Sequence, residues 1–167
     1  MATNKVLDLH AASSALTITL ASLASSTAGV GRQSTLLTNP SASTAGDGHR
    51  RALVFFNVKL GPSPTANKSV QFYLIRGDNV ASGTQHIDDQ GGANDAGITV
   101  KNAQCVFVAQ NITTTNGEVV QGSFVVENMG PDWGIAVVHD TGVNLDSTAG
   151  NHWIRYVYVD DDIQAAS

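Results

Sequence analysis

The chain has 167 residues, the length of one ordinary domain, and its 42% apolar content is enough to bury a core without staples. Only 14% of residues are charged, against roughly 25% in a typical soluble domain. The net charge of −5, with His49-Arg50-Arg51 as the densest basic group, excludes an extended phosphate-binding footprint.

Residues 11–23 are interrupted by Ser and Thr and follow no basic segment, so no secretory signal is expected. No apolar run approaches the roughly 20 residues that span a bilayer, and no membrane partner is expected. The expected setting is therefore a cytosol, where the sequons at Asn67 and Asn111 stay unused. Residues 1–13 read as an N-terminal arm or short edge strand, including a short strand from Val6 to Leu9. Leu16, Ile18 and Leu20 alternate with Thr17 and Thr19, the period of a half-buried strand. A polar loop, 39–48, precedes strands at 51–60 and 69–76, which the proline-bearing stretch 61–67 must join as a loop.

An acidic, glycine-rich loop is expected over 88–97, then strands at 98–109, 118–127, 134–140 and 152–159. Asn116-Gly117 predicts a hairpin between the first two of these. The domain is thus all-β over 14–159: a two-sheet antiparallel sandwich of about eight strands, with a jelly roll as the expected arrangement. Asp160, Asp161 and Asp162 open an acidic C-terminal tail, 160–167.

Several strands carry apolar residues on both faces, although a sandwich needs only one. The second faces comprise Leu53 and Phe55, Tyr73 and Ile75, and Ile154, Tyr156 and Tyr158. These seven are the candidate interface residues, covered either by a neighbouring molecule or by the chain's own loops. Trp133 and Trp153 lie in apolar runs and read as core.

Motifs for chemistry are lacking. The five histidines, His10, His49, His86, His139 and His152, have no metal-pair spacing, and surface or loop positions are expected, His139-Asp140 included. Asp88, Asp89 and Asp95 do not follow the twelve-residue calcium-loop spacing and read as a solvated loop. Arg76-Gly77-Asp78 reads as a turn supplied by Gly77 rather than a displayed recognition tripeptide. The single cysteine, Cys105, permits no internal disulfide or thiolate cage and reads as a small buried hydrophobe. No nucleophile elbow or phosphate-cradling loop is present, so neither an enzyme nor a cofactor, metal or nucleic-acid partner is expected.

The run from Gly130-Pro131-Asp132-Trp133-Gly134 through His139-Asp140-Thr141-Gly142 to Leu145, then Gly150-Asn151-His152, resembles a signature of small virion-associated proteins of tailed bacteriophages. The block from Leu16 to Ala24 and the block Gly31-Arg32-Gln33-Ser34-Thr35 are similar to the same group, so the resemblance spans roughly residues 14–159. It implies a jelly-roll-like structural protein of the particle, best fitted by a capsid decoration or cement protein. The implied partners are the major capsid protein and copies of itself in a homo-oligomer such as a trimer. The implied location is the virion, assembled in the host cytoplasm. Trp133 would be a core residue, with Gly134 allowing close packing beside it. Residues 1–23 and the second-face apolar side chains are the expected contacts. A tail, neck or baseplate component is the alternative within the particle, and a carbohydrate-binding sandwich for host attachment is the alternative outside that class.

Overall fold

The computed structural model describes residues 5–10, 12–39, 49–79 and 86–164. Within them the chain forms eleven strands: β1 (Lys5–His10), β2 (Ser14–Ala15), β3 (Val30–Gln33), β4 (Leu37–Thr38), β5 (Arg51–Lys59), β6 (Ser69–Gly77), β7 (Ala96–Thr99), β8 (Gln104–Gln110), β9 (Val119–Glu127), β10 (Asp132–His139) and β11 (Trp153–Gln164). Two single 3-10 turns, Asp88–Gln90 and Ala149–Asn151, are the only helical pieces described.

The strands build two antiparallel sheets. The first has the order β1-β11-β5-β9, with β2 also on β11; the second has β7-β3-β10-β6-β8, with β4 also on β10. No two neighbours in either sheet are consecutive in the chain: β5 and β6, β8 and β9, β9 and β10, and β10 and β11 lie in different sheets, and β6, β7 and β8 share a sheet without pairing in sequence. The expected hairpin is corrected by this arrangement. Asn116 and Gly117, the latter at φ +69°, do make a turn, but it carries the chain from β8 in one sheet to β9 in the other. Turn chemistry reverses a chain locally; which sheet accepts the next strand is decided by the core.

Period-two patterning sets the core. In β5 every second residue, from Ala52 to Val58, is buried, and in β6 so are Val70, Phe72 and Leu74. Their sheets meet in an aromatic cluster: the Phe56 ring lies 4.4 Å from Phe72, and Phe107 and Phe124 stack at 5.2 Å. Trp133 is fully buried, and its indole N–H donates to the Tyr158 hydroxyl at 3.1 Å. Tyr156 meets it edge-on at 5.4 Å.

Four further expectations need correction. The strand expected over 98–109 is two, β7 and β8, on opposite edges of one sheet. Residues 16–20 alternate in burial but form no strand: Leu16 N–H donates to Ile154 O in the first sheet, whereas Thr17 O accepts from Thr35 N–H beside the second. The segment bridges two sheets, so it keeps the period without a ladder. Residues 160–164, set apart as a tail, continue β11 and pair with β1, His10 opposite Val159 and Lys5 opposite Gln164. Cys105 is exposed rather than buried, beside a bulge at Val106 where β8 slips against β6. The loop expected over 39–48 lies outside the described residues apart from Asn39.

Candidate interaction surface

The outer face of the second sheet is covered by the chain itself over β6 and β10, whereas Val108 of β8, opposite Gln71 on that face, is 50% exposed. Ile75 and Ala136 are fully buried there, packed with Ile98 under Leu36, Ile87, Val100 and Ala103. The cover is tied down by the block Arg32–Thr35. Arg32 Nε donates to Asp95 Oδ1 at 2.5 Å, Gln33 Nε2 to Gly92 O at 2.6 Å, and the Asp95 N–H to Thr35 Oγ1 at 3.2 Å. Ser34 Oγ receives the Ile135 N–H at 3.1 Å. The segment crosses directly over Gly134, where a Cβ would stand 2.7 Å from Ser34 Oγ and 2.9 Å from Leu36 Cδ2. Gly134 thus permits a close approach, but to this crossing segment.

The acidic loop is held by the same economy. Asp89 accepts the N–H groups of Lys101, Asn102 and Ala103 at 2.9–3.1 Å, and those bonds hold its carboxyl below the usual range against the opposing effect of burial. Asp88 accepts from Arg76 N–H. These carboxylates close a loop on main-chain donors instead of standing in solvent. Among the described residues no three His, Cys, Asp or Glu side chains form a group able to hold a metal ion.

The first sheet presents a different outer face. Along β5 the side chains of Leu53, Phe55 and Asn57 point away from the core. Val157, Arg155 and Trp153 of β11 lie opposite them on one side, and Val125, Ser123 and Gln121 of β9 on the other. One cross-strand row is therefore wholly apolar: Val125, Leu53, Val157. Val125 is 53% exposed, Val119 46% and Trp153 41%. Val157 is buried without belonging to the inter-sheet core.

The seven candidate residues separate accordingly. Leu53 and Phe55 stand on this open face. Tyr73 and Ile75 stand on the second sheet's outer face, under the loop cover, and Ile75 is excluded from any contact by burial. Ile154, Tyr156 and Tyr158 are corrected to the core side of β11, where Ile154 is 1% exposed and both tyrosines pack on Trp133. The alternation in β11 was legible, but both of its faces are apolar and sequence alone did not orient them. Trp153, expected in the core, is consequently on the surface, and sequence reasoning missed Val119, Val125 and Trp153 on this sheet as it missed the exposed Val30, Val108 and Ile112 elsewhere.

Histidine positions also differ from expectation. His139 is fully buried, with Nδ1 2.9 Å from Thr141 Oγ1 and Nε2 3.0 Å from Leu23 O, and burial pushes its pKa below the ordinary value. His152 is nearly buried, accepting the Lys59 N–H at Nδ1 and reaching Asp146 O at 2.8 Å. His86 does lie at the surface, 2.6 Å from Asp78. Gly77 is the end of β6 opposite Asp132, not a turn, and Arg76 is held by Asn128 O and Gln104 Oε1. Asn111 is buried, its amide bonded to Thr65 O and Thr113 O. No protein family, curated protein or solved structure matches this chain.

Proposed function

We propose that the chain is a structural protein of a bacteriophage particle, a decoration or cement protein that binds the outer shell through the outer face of its first sheet. The observation that carries this reading is the outer face of the first sheet, where Val125 and Trp153 are exposed and Leu53 and Phe55 are half-buried beside the buried Val157, while the other outer face is covered by loops over Ile75 and Ala136. An apolar face kept on an already low-charge surface is a standing cost in solubility unless something covers it. The similarity of the blocks around Leu16, Arg32 and Trp133 to tailed-phage virion proteins supports the choice of a phage shell and of self-association in the particle. The strand order, in which β8, β9, β10 and β11 pass from sheet to sheet in turn, supports a jelly-roll reading. No reaction is assigned to the chain.

The test is particle occupancy. Leu53→Glu and Phe55→Ser should each leave folding intact and reduce the amount of protein retained on purified particles, read by quantitative gel. Retention at the wild-type level in both variants would overturn docking by this face. Copy number decides the location: hundreds per particle for a shell protein, a few to a few dozen for a tail, neck or baseplate component.

One observation favours a second reading. Trp153 is exposed in a row with Asn57 and Gln121, an aromatic platform flanked by amides, which is the chemistry of a sugar site. Trp153→Ala should then abolish glycan-array signal, and an array without hits for the wild type removes this reading.

A further inference from the structure

The edge of the first sheet carries an inference separate from its face. β9 ends the strand order, and among the described residues nothing pairs with its outer side. Leu60 N–H donates to Glu118 O at 2.8 Å. The register therefore bonds β5 to β9 through Val58↔Val120, Phe56↔Gly122, Val54↔Phe124 and Ala52↔Val126. The alternate residues Val119, Gln121, Ser123, Val125 and Glu127 direct their main-chain N–H and C=O groups outward. All five side chains are exposed.

Such an edge is normally guarded by shortness, a bulge, proline or lysine. The other edges have such guards: β7 is four residues long, β8 is bulged at Val106, and the β1 sequence includes Lys5. β9 is nine residues of VVQGSFVVE with a regular register throughout, no proline and no lysine. Its single charge, Glu127, is at one end.

We propose that β9 pairs antiparallel with β9 of a second copy of this chain, across a two-fold axis at Ser123. The occupant follows from the strand's own register. An axis at Ser123 sets Ser123 opposite itself, Gln121 opposite Val125, and Val119 opposite Glu127, so every outward-directed residue meets another. A shift by one residue would set outward groups against groups already bonded to β5, and a shift by two would shorten the overlap. Charge is also compatible: the two Glu127 side chains lie eight positions apart along the ribbon, roughly 27 Å at about 3.4 Å per residue. The two apolar outer faces then join into one continuous sheet surface, an isologous contact of the commonest symmetry. This two-fold pairing does not depend on the particle reading, since it concerns the isolated protein.

The test uses the whole purified chain. Sedimentation velocity at tens of micromolar should find a dimer. Ser123→Pro removes only an outward N–H, which an edge strand tolerates, and should weaken dimerisation by about tenfold or more. In a Cys105→Ser background, Ser123→Cys should cross-link on mild oxidation, because Cα atoms of a directly opposed bonded pair are about 5.5 Å apart, within disulfide reach. Gln121→Cys, four positions from its own symmetry mate, should not. A monomeric wild type, a dimer that survives in soluble, folded Ser123→Pro, or cross-linking no faster for Ser123→Cys than for Gln121→Cys would each overturn the proposal. Should Ser123→Pro fail to fold, the cysteine pair decides, since it leaves the β9 main chain intact. If β9 instead takes an extended segment of another protein, the isolated chain is monomeric, and the proposal fails.

Discussion

Two adjacent phenylalanines test the placement of the sandwich's inside and outside. Phe56 is 1% exposed and contacts three other rings, with centroids 4.4 Å from Phe72, 5.7 Å from Phe107 and 6.1 Å from Phe124. Truncating it to alanine opens a cavity between two sheets that cannot collapse without moving both, a loss of ~3–5 kcal/mol. Against a typical total of ~5–15 kcal/mol that is about a fifth of the stability at the least. Phe55 lies one residue away on the open face, between Ser123 and Arg155 in register, and is half-buried. Full burial of such a side chain is worth ~1.5–3 kcal/mol, so half of that, about 1 kcal/mol, is the expected loss in Phe55→Ala. In a chain of this size the two variants should melt ~6–20 °C and ~2–4 °C below wild type respectively. Urea unfolding of both, with unchanged m, is the measurement. Equal losses, or a larger loss for Phe55→Ala, would refute the assignment of faces and with it the docking surface.

Three further outcomes follow from local contacts. His139 is held neutral by burial, so its folded pKa lies below its unfolded one; stability is full above the unfolded value, near 6.5, and is lost as pH falls toward the folded value. His139→Leu should be less stable at neutral pH, because Leu23 O keeps only the Leu145 N–H and Thr141 Oγ1 loses its ring partner, yet fall less between pH 7 and 5; an unchanged slope in urea midpoints refutes this. Glu118 closes the 111–118 connection by accepting the N–H groups of Ile112 and Thr113, so Glu118→Ala should speed amide exchange at both with little change in global stability. Gly134→Ala drives a methyl against Ser34 and Leu36 and should cost ~1–3 kcal/mol; a neutral variant would mean that the crossing segment yields freely.

The sequence made the fold class legible because alternation is a local property. Val54, Phe56 and Val58 declare a core face without reference to any partner. Faces became ambiguous where both were apolar. In β11, Ile154, Tyr156 and Tyr158 compete with Trp153, Val157 and Val159, and only the contact of Tyr156 and Tyr158 with Trp133 decides between them. Pairing was less legible still, since no ladder joins consecutive strands and every partner choice is non-local. From sequence His139 and Asp89 read as solvent-facing, because polar residues usually are. Each is instead given partners by a distant segment, Leu23 O for one and the 101–103 main chain for the other.

The two outer faces carry the functional argument. Both sheets have more apolar side chains than one core requires, and the chain treats the surplus differently. Over Ile75 and Ala136 it lays segments 34–36 and 87–103, fastened by Arg32–Asp95, Gln33–Gly92 and Asp89 with three main-chain N–H groups. Those fastenings order a long loop against its entropy for the benefit of one small apolar cluster. On the first sheet's outer face Val157 is buried and Leu53 half-buried, but Val125 stays 53% exposed. A sequence that builds a cover for one face has the means to build one for the other. Val125, 53% exposed on a nine-residue strand without lysine or proline, is the position where the proposed contact of the face and the proposed pairing of the β9 edge meet.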